Sequence, residues 1–478
     1  MERLLLWGMR ATGLAVVTSA IQGIALAQEP RVPPSEVLAA YVARSDASYQ
    51  WRVQRRYEHP DAEVIELHLE SQTWQGELWK HRLLVIRPKR VNDAGHAALI
   101  VGGGRWSDDY EAVSVEEELP EDGGIFVGIA QVLRSTLVVL GQVPYQPLFD
   151  LTEDRLIAYS FDRYLATGNP EWPLLLPMVK SAVRALDASS EFAEREWGES
   201  LEGFTVVGGS KRGWTTWLMA TVDARVTAIV PMVIDALNMQ RHFPHHTEVW
   251  GAPSEAIKPY TDLNLPNVLG SAAGEALRQI VDPYSYRAAL TLPKLIVLAT
   301  NDEYFPLDSA NLYWDELEGP KYLLYLPNEP HGVERLAPFI LGLRALHAAT
   351  GGRKSLPDLE WEYQWQGTKL TLCVDSRPRA RNLRVWQALS ADRDFRDATW
   401  NVAVETSRSK GRFELTQPAS GYVAVFVDAG YGRMVRSFTL STNLAVMGAA
   451  DEPAFGTAPT GRAGVCAALA ATPAKPIG

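Results

Sequence analysis

Between residues 74 and 351, short apolar runs alternate with segments whose apolar positions recur every three to four residues. The runs at 83–86, 97–101, 136–140, 204–207, 228–234, Lys294–Ala299 and Lys321–Leu326 read as strands, with 125–127 as a further short one. Leu175, Met178, Val179, Ala182, Val183 and Leu186 fall on one face at a 3.6-residue period, so that stretch reads as a helix. A second helix is expected from Gly213, a further segment at 311–317, and another helix over 335–348. Strands that are apolar throughout must be covered on both faces. The alternation therefore predicts an α/β domain with a mainly parallel sheet and helices on both sides.

Two stretches leave this rhythm. Residues 238–286 form a long insertion rich in His, Pro and Tyr, of the kind that caps a site. Beyond Gly351-Gly352-Arg353 the pattern changes to short strands at 360–365, 369–374, 383–388, 401–407 and 422–428, separated by turn residues. That spacing predicts a C-terminal all-β, Ig-like sandwich over 353–446. The Ala-, Gly-, Pro- and Thr-rich stretch 447–478 reads as a disordered tail. At the other end, Arg3 and Arg10 flank an apolar run that closes on Ala25-Leu26-Ala27. Residues 1–27 are expected to be a cleaved signal peptide, which makes the mature chain exported, periplasmic or secreted, with no membrane span. The α/β domain then occupies 28–352.

Bulk properties narrow the function classes. The 478 residues are 46% hydrophobic and 22% charged, the balance of a soluble globular protein. A net charge of −11 gives no reason to expect nucleic acid or an anionic membrane as partner. Cys373 and Cys466 have no second cysteine or histidine pair at metal-ligand spacing, and whether they pair with each other stays open.

The chemistry centres on "FTVVGGSKRGWTTWLMA", where a strand runs into a helix through Gly208, Gly209, Ser210 and Gly213. A serine hydroxyl is a weak nucleophile unless a base lies within hydrogen-bond reach and a carboxylate orients that base. An α/β-hydrolase holds its serine on such a strained turn, with small neighbours that let the chain through. The usual spacing is G-x-S-x-G, and here the last glycine comes one place late. Acid and base should follow in the order Asp/Glu then His, each beyond the end of a strand. "KLIVLATNDEYF" carries Asp302 and "KYLLYLPNEPHG" carries His331. Ser210 is thus the expected nucleophile, His331 the general base and acid, and Asp302 the orienting carboxylate. Asp235, at the end of "AIVPMVID", is the alternative acid. The backbone N–H of Lys211 and the "GGGRW" loop, through Gly103, Gly104 and Arg105, are the expected oxyanion and substrate-binding groups.

Other features read as structural. "RHFPHHTE" places His242 and His246 four apart, but Pro244 between them should break the helix that a metal pair needs, so lid or substrate contact is expected instead. "GGGRW" does not match G-x-G-x-x-G, and neither a cofactor nor a metal is expected. Trp214 and Trp217 should pack beneath the elbow, and Trp361, Trp365, Trp386 and Trp400 in a β core rather than on a glycan.

"VVGGSKRGWTTWLMATVDARVTAIVPMVIDALNM", "EWPLLLPMVKSAVRALDA" and "ATNDEYFPLDSANLYWDELEGPKYLLYLPNEPHG" closely resemble the PhoPQ-activated pathogenicity-related protein family, and "RVWQALSADRDFRDATW" does so more loosely. The likeness spans about residues 34–446. It implies an exported α/β-hydrolase-like domain followed by a β-rich domain, with a serine-hydrolase-like site at Ser210, Asp302 and His331. The turn after Ser210 also resembles that of glucuronoyl and related carbohydrate esterases. The expected activity is hydrolysis of an ester or amide through an acyl-enzyme, with a carbohydrate-linked ester among the candidate substrates. The alternative is a secreted binding or signalling protein that keeps the scaffold without turnover.

Overall fold

The structure is a computed structural model that describes residues 32–111, 117–118, 121–449 and 462–477. The expected signal peptide lies outside the described residues. In chain order the first ten strands are β1 (Gln50–Glu58), β2 (Ala62–Trp74), β3 (Glu77–Pro88), β4 (His96–Val101), β5 (Glu117–Glu118), β6 (Leu137–Leu140), β7 (Gly203–Gly209), β8 (Val226–Met232), β9 (Lys294–Ala299) and β10 (Lys321–Leu326). They lie side by side as β5-β1-β2-β3-β6-β4-β7-β8-β9-β10. Every neighbouring pair from β6 to β10 is parallel, whereas β1–β2, β2–β3 and β3–β6 are antiparallel.

Burial explains the division. β6 and β9 are buried at every residue, as strands covered on both faces must be. β1 alternates between exposed and covered positions, and the sequence pattern around it was too polar to register as a strand. Two helical layers supply the cover. The helices before the insertion are α1 (Val37–Ala43), α2 (Glu121–Leu133), α3 (Glu153–Thr167), α4 (Leu175–Trp197) and α5 (Lys211–Met219). The insertion holds α6 (Met239–Trp250), α7 (Lys258–Thr261), α8 (Leu265–Leu269) and α9 (Glu275–Val281), and α10 (Ala337–Gly351) follows β10. α4 and α5 pack together on one side, and α2 and α10 on the other.

Two local expectations change. Residues 125–127 are helical, inside α2, because a three-residue apolar run cannot distinguish strand from buried helix. α6 runs through Pro244 without stopping. Proline removes one backbone donor, but Met239, His242, His246 and Val249 are buried along the same helix, and that packing outweighs one missing bond.

The C-terminal strands are β11 (Asp358–Gln366), β12 (Lys369–Arg377), β13 (Asn382–Ser390), β14 (Asn401–Thr406), β15 (Lys410–Thr416), β16 (Tyr422–Tyr431), β17 (Phe438–Ser441), β18 (Ala445–Gly448) and β19 (Lys475–Ile477), with a short helix α11 (Val465–Ala468). They make two sheets. β11-β12-β15-β19 stands alone. β14-β13-β16-β17 joins the main sheet, because β17 pairs with β10 at Leu323 and Ser441. The β-rich region therefore holds two sheets, one of them continuous with the main sheet, and one hydrophobic core runs through both regions. Of the stretch expected as a disordered tail, residues 450–461 lie outside the described residues, and residues 447–449 and 462–477 are tied to the β-rich region. β18 pairs with β16, β19 adds parallel to β15, and a Cys373–Cys466 disulfide fastens α11 to β12. A small-residue composition carries no periodic signal, so this attachment was invisible in sequence. Trp361 and Trp400 are buried and Trp386 partly so, while Trp365 is half exposed.

Candidate active site

β7 delivers Ser210 to the start of α5 with φ 53° and ψ −127°, a left-handed conformation that a serine adopts only under constraint. The constraint is steric. A Cβ on Gly208 would overlap the Arg212 carbonyl, and one on Gly213 would sit 2.7 Å from Ile234 Cγ2 and 2.8 Å from the Gly208 oxygen. The late glycine therefore sits where α5 packs tightly against the ends of β7 and β8, with no room for a side chain. The Ser210 N–H donates to Met232 O at 2.8 Å, which pins the turn to the end of β8.

The loop after β9 carries Asp302 and the loop after β10 carries His331. The structure brings both to Ser210. His331 Nδ1 lies 3.0 and 2.9 Å from the two Asp302 carboxylate oxygens, and Nε2 lies 2.9 Å from Ser210 Oγ. With the Nδ1 proton donated to the carboxylate, Nε2 is bare and accepts from the serine hydroxyl. Tyr304 stacks at 4.1 Å from the imidazole centroid, and the His331 N–H donates to Glu303 at 3.0 Å. Burial pushes the Asp302 carboxyl above its ordinary range, opposed by the hydrogen bond and charge of His331 and by the Tyr304 N–H. Asp235 is placed elsewhere. It is 4% exposed and accepts from Tyr313 OH at 2.6 Å, and burial raises its carboxyl to about 8. Asp302 thus faces the imidazole, and Asp235 sits behind it as a neutral carboxylic acid below that pH.

The two residues after Ser210 are cationic, and both are paired. Lys211 Nζ lies 3.0 Å from both Glu153 and Asp154, and Arg212 makes two 2.8 Å bonds to Glu153. Burial pushes the Glu153 carboxyl up, but Arg212 and Lys211 outweigh it and hold the group at about 2. Arg212 also lies against Gly103, where any Cβ would overlap its guanidinium. The Gly103 carbonyl accepts from Gln142 N at 2.8 Å and the Gly104 carbonyl from Gln146 Nε2 at 3.0 Å. In a trans peptide the following N–H points the opposite way, so those of Gly104 and Arg105 are turned from these partners. The Arg105 side chain is exposed.

A small pocket of about 50 Å³ opens beside Ser210, between the elbow and the inserted helices. His242 and His246 line it from α6, with their Nε2 atoms 2.9 Å apart. His245 is turned to Asp308, at 2.7 Å.

A family model described as PhoPQ-activated pathogenicity-related protein matches residues 38–396. The chain belongs to this family. Within reach of the PhoPQ-related assignment, it is 30% identical over 434 residues to autocrine proliferation repressor protein A of Dictyostelium discoideum, which covers 83% of this chain and 86% of that protein. Solved structures that resemble it include an acetyl xylan esterase from Paenibacillus sp. R4, at 13% identity and TM-score 0.42 over 62% of this chain and 87% of that one. Another is acetyl xylan esterase 1 from Thermoanaerobacterium sp. JW/SL YS485, at 15% and 0.44 over 65% and 93%.

Several residues at this PhoPQ-related site escaped the sequence reading. Glu153 and Asp154 open α3, and their cationic partners lie about sixty residues on. Asn301 and Asn328 flank Asp302 and His331. Asn301 Nδ2 donates to Arg396 O and Ala398 O at 2.9 and 2.8 Å. Asn328 donates to Trp400 O at 3.0 Å and accepts from Trp400 N at 2.7 Å. No local motif signals a clamp between loops that distant in the chain.

Proposed function

We propose that this protein is an exported serine hydrolase that cleaves an ester or amide through an acyl-enzyme. One observation carries the reading: a strained Ser210 in line with His331 and Asp302, in the chain order and at the strand ends that this chemistry needs. Ser210 Oγ attacks the carbonyl carbon as His331 Nε2 takes its proton. The tetrahedral oxyanion is held by the Lys211 N–H at the helix N-terminus and by the Gly103–Gly104–Arg105 backbone. Collapse breaks the bond to the leaving group, which receives the proton from His331. Water then enters and attacks the acyl carbon as His331 takes its proton; collapse breaks the bond to Ser210 Oγ, which receives that proton, and releases the acid. Asp302 keeps the imidazole in the required tautomer and stabilises its charged form. The Lys211 and Arg212 side chains, tied to Glu153 and Asp154, hold the elbow and the glycine loop in place. The disulfide fits an oxidising compartment, and no described helix is long and apolar enough to cross a membrane.

Fluorophosphonate labelling of the purified mature chain tests this reading. The parent should label at Ser210, and Ser210→Ala and His331→Ala should not. A folded parent that stays unlabelled after the inserted helices have been given time to open would refute an activated serine.

A further inference from the structure

The pocket beside Ser210 has a wall that looks mixed in sequence and is apolar in effect. Six rings line it: Phe161, Trp214, Phe243, Tyr260, Tyr304 and Phe305. Ile234, Ala236 and Met239 fill between them. Most of the polar groups that reach the wall are committed to a protein partner. Lys211 is neutralised by Glu153 and Asp154, with Arg212 completing a set of two cations and two carboxylates. Tyr260 OH donates to Asp154 at 3.0 Å. Trp214 Nε1 donates to Val281 O. The two imidazoles share one hydrogen bond, one Nε2–H donating to the other's bare Nε2, while both Nδ1 atoms are buried and have no partner among the described residues. Burial drives both His242 and His246 well below their ordinary titration range, so neither presents a charge to the pocket near neutrality. The histidines that invite a metal or polar-ligand reading in sequence therefore act as ring-shaped wall.

A charged or sugar group entering such a wall would lose its hydration without gaining a partner. An apolar group gains by leaving water, at about 0.8 kcal/mol per methylene. Direction also matters. A leaving alcohol must lie within reach of His331 Nε2 to take its proton. Among the described residues, the pocket wall includes Ser210 and not His331. The group that stays bound to Ser210 after the alcohol departs is the acyl group.

We infer that this pocket is the acyl subsite and that it selects uncharged apolar acyl groups, with room for a short chain such as butyryl. The inference rests on the serine-hydrolase reading above and narrows its substrate class to apolar acyl esters. Polar or sugar character, where the substrate has it, belongs to the alcohol.

The full chain is to be assayed with p-nitrophenyl esters of acetate, butyrate, hexanoate, phenylacetate and the succinate half-ester. kcat/KM for butyryl should exceed that for acetyl by about tenfold. The succinyl half-ester should fall on the order of 100-fold below butyryl, which is close to it in size. Ala236→Leu should narrow the pocket and lower the butyryl-to-acetyl ratio about tenfold, and Met239→Ala should raise the ratio for the longer hexanoyl and phenylacetyl groups. Agreement of these two opposed variants keeps the test sound if one of them folds poorly. Acetyl or succinyl preferred in the parent, or ratios unmoved by either variant, would overturn the subsite while fluorophosphonate labelling of Ser210 still upheld the hydrolase. Loss of labelling as well would overturn both.

Discussion

The elbow at Ser210 and the paired loops bearing Asp302 and His331 meet at one hydrogen-bonded line, but they are held in opposite ways. The elbow is local. Its conformation follows from Gly208 and Gly213, from one bond to the end of β8, and from a helix that begins at the next residue. The paired loops are held at long range. Asn328 N donates to Thr300 Oγ1 at 2.9 Å and Asn301 N to Glu329 O at 3.1 Å, which ties the two loops together. Asn301 and Asn328 then fix both to residues 396–400 of the β-rich region. The same region reaches the inserted helices, where the Arg396 guanidinium lies 4.4 Å over the Trp250 ring. The β-rich region is thus part of the scaffold of the candidate site and not a detachable module. This explains why its sheet continues the main sheet through β17 and β10.

The sharpest break in this comparison comes from the charge line itself. Asp302→Asn should lower the labelling rate on the order of 10⁴-fold while the protein stays folded, because the wrong imidazole tautomer then faces Ser210. Gly208→Ala strikes the local half. Its methyl would overlap a backbone carbonyl that cannot give way, so a destabilisation of about 3–5 kcal/mol is expected, seen as a large fall in melting temperature. Asn328→Ala strikes the long-range half. It should lower kcat on the order of 10–100-fold with KM and melting temperature little changed, since the helices and strands do not depend on that clamp. An equal fall in stability and activity for Asn328→Ala would mean that the clamp only holds the fold.

The smallest effect is expected at Asp235. Its folded carboxyl titrates at about 8 against 3.8 for an unperturbed one, so the folded state keeps a proton that the unfolded state releases. Stability from this group therefore falls as pH rises from about 4 to 8. Asp235→Asn should keep labelling within about twofold and should flatten the loss of melting temperature between pH 5 and pH 8. A loss of labelling as deep as that of Asp302→Asn would move the orienting role to Asp235.

Legibility in the sequence followed the range of the interaction. The buried strands, the elbow and the order of Ser210, Asp302 and His331 are written in contiguous residues, because a two-residue or 3.6-residue period and a glycine's missing Cβ are local properties. Even so, the helix through Pro244 shows a local rule overridden by buried side chains on the same face. Pairing partners are another matter. Nothing near Glu153 announces Arg212, nothing near Asn328 announces Trp400, and nothing in the Ala-rich stretch around Cys466 announces β12.

By itself, then, the sequence determined most strands of the parallel core, the elbow at Ser210, and the chain order of Ser210, its candidate acids Asp235 and Asp302, and His331. Only the tertiary structure placed Asp302, and not Asp235, against His331, joined the C-terminal strands to the main sheet, and buried His242 and His246 beside Ser210. The physical reason is that each of these depends on which distant groups share a buried space, where an unpaired polar atom is costly and a paired one is neutral.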